Sequence, residues 1–245
     1  IGASMTPELS EDGADGADGE DGRSNPSAKP SRRETRPLGM NSTERTAHWQ
    51  AIYDVKPLES CSWYQPVPQT SLDFITTLNL PLDAPILDVG GGDSLVVDHL
   101  LQAGFSDVTV LDISSKAIDR AKERLGTDAS RVKWVVSDVT DFVPTRKYAL
   151  WHDRAAFHFL TTASDQDAYR RALREGTIAG STAIVGTFSI NGPIKCSGTA
   201  IQQHDEVSLA ETFAADWSPV STSIVHHTTP SGGGQEFVFG VFERN

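Results

Sequence analysis

The chain has 245 residues, a formal net charge of −12 and an isoelectric point near 4.9, which fits one domain with a tail and argues against a nucleic-acid-binding protein, since that requires a basic face. Its two cysteines, Cys61 and Cys196, lie far apart and outside any C-x-x-C spacing, so we expect free thiols in a reducing, cytoplasmic compartment. No apolar run approaches the roughly 20 residues that span a bilayer, and the acidic, Gly-rich start has no signal-peptide core, so we expect no membrane association.

Residues 1–40 contain Asp-Gly-Ala repeats followed by a Ser/Pro/Arg-rich stretch. Because so few of these residues could bury apolar area, we expect a disordered tail, acidic at first and then basic. The basic cluster Arg32, Arg33 and Arg36 is interpreted as solvated tail in preference to a partner site. The remaining residues, 41–245, are predicted to form the folded domain.

The domain is predicted to open with a helix over residues 42–54. An irregular, Pro-rich segment follows over residues 56–68, with Trp63 and Tyr64 at its centre. Aromatic rings in a loop ahead of a ligand-binding strand can act as a lid, or they can simply pack the edge of the core. Both interpretations stay open at this point. A second helix is predicted over residues 70–79.

The strongest motif is the stretch 85–94, an apolar strand that stops at three consecutive glycines before a helical pattern begins. Such a turn lets a ligand approach the backbone closely, and a strand, a Gly-rich turn and a helix in this order are typical of a nucleotide site. The dinucleotide fingerprint requires a third glycine, which Ser94 and Leu95 do not supply. The acid beside the turn, Asp93, would also repel a pyrophosphate, and Asp88 ends the strand with a carboxylate that could meet a cation. S-adenosylmethionine carries an ammonium and a sulfonium and no phosphate, so it suits these acids better.

Two more acidic residues follow the next two predicted strands. The strand over residues 107–111 ends at Asp112, and the strand over residues 131–136 is followed by Asp138. A carboxylate at the end of the second strand can accept hydrogen bonds from both hydroxyls of a ribose. The alternatives are a helix cap for the first acid and a turn cap for the second. We favour ligand roles for both because they stand at successive strand ends.

From Asp88 to Gly92 the chain resembles the first motif, roughly (D/E)-x-G-x-G, of the class I S-adenosylmethionine-dependent methyltransferases. The resemblance implies that the glycines pack against the methionine part of the donor. It further implies that Asp112 holds the ribose, while Asp138 and the next backbone amide bind the adenine. The donor-binding residues implied in this way are Trp63, Tyr64, Asp88, Gly90, Gly91, Gly92, Asp112, Ile113, Asp138 and Val139.

A narrower resemblance lies ahead of that motif. The segments His48-Trp49 and Ser62-Trp63-Tyr64 resemble the amino-terminal pattern of the group that includes the elongation-factor and citrate-synthase lysine methyltransferases, in which such segments cover the methyl donor. The triplet at Cys196 resembles a recurring Cys-Ser-Gly in bacterial relatives of that group, where the loop would form a wall of the acceptor pocket.

The end of strand four is where catalytic residues are expected, because doubly wound sheets present reacting groups across the topological switch point. The pattern predicts strand four over residues 147–151, followed by His152 and Asp153, which would face the methyl acceptor. In the lysine methyltransferase group the matching run is acid-Lys-Gly-Thr. Arg154 and Ala155 stand at its second and third positions, so the acceptor is left open. Asp153 has an alternative role as the cap of the following helix.

The last part of the chain continues the alternation and ends in two strands, residues 218–227 and 235–243, joined by a Gly-rich turn. These patterns predict an α/β, Rossmann-like doubly wound sheet of seven strands, in the order 3-2-1-4-5-7-6, with a C-terminal antiparallel hairpin. Because His226 and His227 would face opposite sides of a strand, we expect no metal site.

The predicted function is methyl transfer from S-adenosylmethionine, with S-adenosylhomocysteine as product. The acceptor is either a protein lysine or a small molecule, and we expect a monomer or weak dimer with no nucleic-acid partner. The alternatives are an NAD-linked oxidoreductase and a donor-binding but inactive module.

Overall fold

A computed structural model of the protein describes residues 39–245, so the predicted tail, residues 1–40, lies almost wholly outside the described residues. The described chain begins with α1 (Ser42–Val55). The Asn41 side chain accepts a hydrogen bond from the Glu44 amide at 3.0 Å, and the Glu44 carboxylate accepts one from the Asn41 amide at 2.9 Å. This reciprocal capping box fixes the start of α1 at Ser42, the predicted first residue.

The other elements alternate along the chain much as predicted. The helices are α2 (Gln69–Thr77), α3 (Val96–Gln102), α4 (Ser115–Leu125), α5 (Ala163–Glu175) and α6 (Glu206–Phe213). The strands are β1 (Ile86–Val89), β2 (Val108–Asp112), β3 (Val132–Val136), β4 (Leu150–Arg154), β5 (Thr182–Phe188), β6 (Lys195–Cys196), β7 (Thr199–Ala200), β8 (Trp217–Thr228) and β9 (Gly234–Arg244).

The main sheet has seven strands in the order β3-β2-β1-β4-β5-β9-β8. The first five are parallel, and β9 runs antiparallel to both β5 and β8. The two-residue strands β6 and β7 form a separate hairpin, so the last two strands of the main sheet correspond to the predicted sixth and seventh. The Rossmann-like fold and its order are therefore confirmed.

The sheet is covered on both faces. Ile86 of β1 packs in one apolar cluster with residues of α2 and α3, and the next residue, Leu87, packs in a second cluster with residues of α5 and α6. Because successive side chains of a strand point to opposite faces, a strand covered on both sides reads as a continuous apolar run. That is the pattern of residues 86–89, and it places the glycine turn at the open edge between the two helical layers.

The prediction for strand four was wrong by three residues. The strand was expected over residues 147–151, but β4 runs from Leu150 to Arg154, so His152 and Asp153 lie inside the strand. The prediction followed apolar residues and stopped at the first polar one. These polar side chains are tolerated within a central strand because their polar groups find partners inside the protein.

Within residues 39–245, no helix is long and apolar enough to cross a bilayer. The same range contains no group of three or more His, Cys, Asp or Glu side chains placed to hold a metal ion. In β8, His227 is buried while its neighbour His226 is exposed, as the alternation along a strand requires.

Candidate active site

A cavity opens at the carboxyl ends of β1, β2, β3 and β4, beside the switch point between β1 and β4. In open α/β sheets this is where ligands bind. Its walls come from α1, the segment ahead of α2, the glycine turn, the four strand ends and the loop that carries Cys196. The cavity thus brings together stretches of sequence that are far apart in the chain.

The first acidic strand end is only half satisfied. Asp88 is buried, and its Oδ1 lies 2.7 Å from Nδ1 of His152, whose Nε2 lies 2.9 Å from Oγ of Ser71. The other oxygen, Oδ2, is buried without a hydrogen-bond partner among the described residues. Buried polar atoms are normally paired. The histidine therefore holds the carboxylate in one orientation, with the second oxygen packed against Gly91 of the glycine turn.

The second acidic strand end lies beneath the glycine turn. Oδ1 of Asp112 accepts a hydrogen bond from the Ser114 amide at 2.7 Å. Burial raises the pKa of Asp112 to about 7; the Ser114 amide opposes this shift, and the nearby carboxylate of Asp93 adds to it. A Cβ on Gly92, whose φ is +48°, would lie 2.9 Å from Oδ2 of Asp112. Only glycine leaves room for the turn to pass this close to the carboxylate.

The third acidic strand end is tied to α1. Oδ2 of Asp138 accepts from Nε of Arg45 at 2.7 Å, while Oδ1 accepts from the amide and hydroxyl of Thr140 at 2.9 and 2.8 Å. Arg45 also lies 3.2 Å from the carboxylate of Asp165 in α5. This buried ion pair holds the first helix over the end of β3.

Aromatic side chains cover the cavity on the same side. The ring of Trp63 lies 5.9 Å from that of Trp49 and 6.0 Å from that of Tyr53, both in α1, and Trp49 lies 4.9 Å from Phe159. Trp49 and Trp63 meet edge to face, as aromatic pairs prefer. Trp63 therefore covers the cavity together with aromatic side chains of α1.

A family model described as a methyltransferase domain matches residues 86–176, from the first residue of β1 to the residue after α5. Over these residues the chain is similar to methyltransferase domains. The matched stretch contains all three acidic strand ends and the whole of β4.

The curated relatives of this chain are named for different methyl acceptors. Malonyl-[acyl-carrier protein] O-methyltransferase 1 of Ilyobacter polytropus is 34% identical over 76 residues, which are 31% of this chain and 28% of that protein. EEF1A lysine methyltransferase 2 of Mus musculus is 23% identical over 173 residues, 66% of this chain and 69% of that protein. The chain thus matches less than a third of the length of the first relative.

Among solved structures, the 1,6-didemethyltoxoflavin-N1-methyltransferase of Burkholderia thailandensis, with its substrate and S-adenosylhomocysteine bound, superposes with a TM-score of 0.62 at 17% identity. The superposition covers 86% of this chain and 92% of that chain. This likeness establishes that the two proteins share a fold.

Most residues predicted for the site line this cavity. The lining includes Trp63, Asp88, Gly90, Gly91, Asp112, Ile113, Asp138, Val139 and His152, and it also includes Cys196. Tyr64, Gly92 and Asp153 are not part of it. Trp49 and Tyr53 of α1 also line the cavity, as the amino-terminal resemblance implies, whereas Arg45 in α1 and Arg154 in β4 line it without having been named as site residues from the sequence.

Asp153 lies on the far side of β4, fully buried. Its carboxylate accepts hydrogen bonds from the amides of Ala156 and Phe157 and from the Tyr169 hydroxyl at 2.8 Å. Burial raises the pKa of Asp153 to about 6, although the Ala156 amide opposes this shift. The placement corresponds to the alternative given above, a cap for the turn that follows β4, and it puts His152 rather than Asp153 at the cavity.

Proposed function

We propose that the protein transfers the methyl group of S-adenosylmethionine to a protein lysine or a small molecule. The observation that carries this proposal is the buried Oδ2 of Asp88, which has no partner in residues 39–245 and lies beside the glycine turn. A carboxylate oxygen in that position suits the ammonium of a donor that has no phosphate. When bound, the donor supplies an activated methyl carbon, whose bond to sulfur breaks with both electrons going to sulfur as a lone pair of the acceptor attacks.

The residues of the cavity would divide the donor between them. Asp112, when ionised, would accept the ribose hydroxyls, and Asp138 with the Val139 amide would bind the adenine edge. His152 would act on the acceptor side and, through its bond to Asp88, keep that carboxylate oriented. Every one of these groups is fixed by the ends of rigid strands. Holding reactants in line can contribute roughly 7–11 kcal/mol to lowering a barrier.

The aromatic cover suits the same reaction. The rings of Trp49 and Trp63 would exclude water from the cavity, and aromatic faces attract cations, here the sulfonium. The acceptor nucleophile must lose a proton before or during the transfer, and this proton can pass to solvent. The cytoplasmic location and the monomeric or weakly dimeric state belong to this proposal; both cysteines are free, which suits a reducing compartment.

The test is calorimetry with S-adenosylhomocysteine on the purified protein, on Asp88→Asn and on Asp128→Asn, an exposed aspartate far from the cavity. We expect stoichiometric binding to the wild type and the control, and at least tenfold weaker binding to Asp88→Asn, because a charge-assisted hydrogen bond is lost. NADH should not compete. No binding of S-adenosylhomocysteine at millimolar concentration would refute the proposal. Radiolabelled donor with fractionated cell extract then reports whether protein or metabolite is methylated.

A further inference from the structure

Arg154, the last residue of β4, is a partly buried cation that lines the cavity. Within residues 39–245, no carboxylate oxygen lies within 4.0 Å of its guanidinium, and its Nη2 is buried with no hydrogen-bond partner. Its Nη1 donates to the backbone oxygen of Trp63 at 3.1 Å. Burial lowers the pKa of Arg154 to about 10, so the group still carries its charge at neutral pH.

The contrast with the other arginine of the cavity is informative. Arg45 is buried, but its guanidinium contacts the carboxylates of Asp138 and Asp165 and the hydroxyl of Thr140. Such pairing is the usual condition for burying a charge, since an isolated buried ion is costly. Among the described residues, the close partners of Arg154 are a carbonyl oxygen and the ring of Phe237, whose centre lies 5.3 Å from the guanidinium carbon. The carboxylate of Asp88 acts to raise the pKa of Arg154, but it lies beyond the 4.0 Å of an ion pair.

Neither of these contacts neutralises the arginine. A single backbone carbonyl uses one of its five N–H donors, and a ring face offers weak attraction only. The side chain lines the cavity, as does Cys196. A ligand bound in the cavity would therefore lie beside the guanidinium, and a fork of N–H groups matches the geometry of a carboxylate or another oxyanion.

We propose that Arg154 is an oxyanion-binding residue, and that its counter-ion is supplied by a ligand and not by the protein. The inference rests on the proposed function, because it assumes that donor and acceptor meet in this cavity. Two ligands could bring the oxyanion: the amino-acid carboxylate of the donor, beside the ammonium assigned to Asp88, or an acidic group on the acceptor. A lysine side chain brings no such group, and its ammonium would be repelled.

The test compares the wild type with Arg154→Gln, which keeps a donor for the Trp63 oxygen but loses the charge, and with Arg154→Lys. Lys195→Gln is the matched control, because it removes an exposed charge from β6, next to Cys196, without touching the cavity. Each protein is titrated calorimetrically with S-adenosylhomocysteine and with methylthioadenosine, which lacks the amino-acid end. Each is also given radiolabelled donor and cell metabolites that were separated beforehand into acidic and non-acidic pools by anion exchange.

If the donor carboxylate is the partner, Arg154→Gln binds S-adenosylhomocysteine at least tenfold more weakly and methylthioadenosine unchanged. If the acceptor supplies the oxyanion, both nucleosides bind as in the wild type, and labelling of the acidic pool falls at least tenfold. Arg154→Lys should keep part of the affinity or labelling that Arg154→Gln loses, and Lys195→Gln should bind and label as the wild type does. Because no protein counter-ion is lost, ligand-free Arg154→Gln should melt no lower than the wild type.

The inference is overturned if Arg154→Gln matches the wild type in both titrations and in labelling, or if it melts far below the wild type while its ligand affinities are unchanged. That second outcome would make the arginine a structural residue. Failure of the wild type to bind either nucleoside is a different result, because it refutes the proposed function and this inference with it.

Discussion

Replacing Asp112 by asparagine should stabilise the ligand-free protein while weakening its binding of the donor. The carboxylate is buried under the glycine turn, and burial raises its pKa from 3.8 to about 7. A carboxylate with a raised pKa holds its proton more tightly in the folded state than in the unfolded one. Its contribution to stability therefore falls as the pH rises from about 4 to 7 and stays constant above 7.

The size of this effect follows from the shift. A change from 3.8 to about 7, at 1.36 kcal/mol per pH unit, costs the wild type about 4 kcal/mol above pH 7 as an upper bound. Asparagine avoids that cost but makes a weaker bond with the Ser114 amide, a loss of roughly 1 kcal/mol. We expect a net gain of about 3 kcal/mol at pH 8, and a gain of only about 0.6 kcal/mol at pH 5.

Thermal melts of the ligand-free proteins at pH 5, 6, 7 and 8 measure the stability, and calorimetry with S-adenosylhomocysteine at pH 8 measures the donor affinity. At roughly 2–4 °C per kcal/mol for a domain of this size, the melting temperature of Asp112→Asn should exceed that of the wild type by several degrees at pH 8. Its affinity should be at least tenfold lower, because a neutral amide replaces a charged acceptor for the ribose hydroxyls.

Asp107→Asn is the matched control, with the opposite sign. Burial acts to raise the pKa of Asp107, but its bonds to Arg146 and Lys133 outweigh this and lower it. Stability from that group is present at neutral pH and is lost as the pH falls, so the variant should melt below the wild type at pH 8 and bind donor normally. The reasoning fails if Asp112→Asn is less stable than the wild type at pH 8, or if its advantage does not grow between pH 5 and 7.

Three further substitutions test other parts of the site. Gly91→Ala would place a methyl group 2.6 Å from a carboxylate oxygen of Asp88, so we expect about 1–3 kcal/mol lower stability in melts and lost donor binding in calorimetry. Gly234→Ala is the control; it has open space around it and should change neither quantity. Trp63→Ala should weaken donor binding about tenfold by fluorescence titration, while Tyr64→Ala, outside the cavity lining, should not; equal losses would contradict the separation. Asp153→Ala should lower the free energy of unfolding by about 1–3 kcal/mol, because buried donors lose their acceptor. Turnover in a labelled-methyl assay should not fall selectively. A large loss of turnover at unchanged stability would instead indicate a catalytic role for Asp153.

The positions of the three acidic strand ends could be predicted from the sequence because they depend on local order. Asp88, Asp112 and Asp138 each follow a short β-rich run, and parallel strands bring their carboxyl ends to one edge of the sheet. The same argument could not find Arg45, which reaches Asp138 from 93 residues away. Its position in a helix with an aromatic side carries no signal that its charge is buried.

The end of β4 shows a different limit. Ala155 replaces the glycine of the lysine methyltransferase pattern, which was interpreted as a departure that leaves the acceptor open. In the structure Ala155 has φ +69°, the left-handed conformation that glycine adopts readily. The backbone turn has therefore been kept without the residue that makes it easy, at a cost of roughly 1–2 kcal/mol. A residue pattern alone cannot separate a lost turn from a strained one.

The energetic costs of unsatisfied and strained groups arise at one place in the fold. Four unfavourable features lie at the strand ends around one cavity. Among the described residues, Asp88 has an oxygen without a partner and Arg154 has a charge without an ion pair, while Asp112 has a raised pKa and Ala155 a strained backbone. The two carboxylates and the arginine would each gain a partner from bound ligands. A group that lacks a partner in the free protein gains one when the ligand binds, so binding is more favourable than it would be in a site without such groups. Tighter binding in turn stabilises the folded state more. Donor and acceptor should therefore raise the melting temperature more together than either does alone.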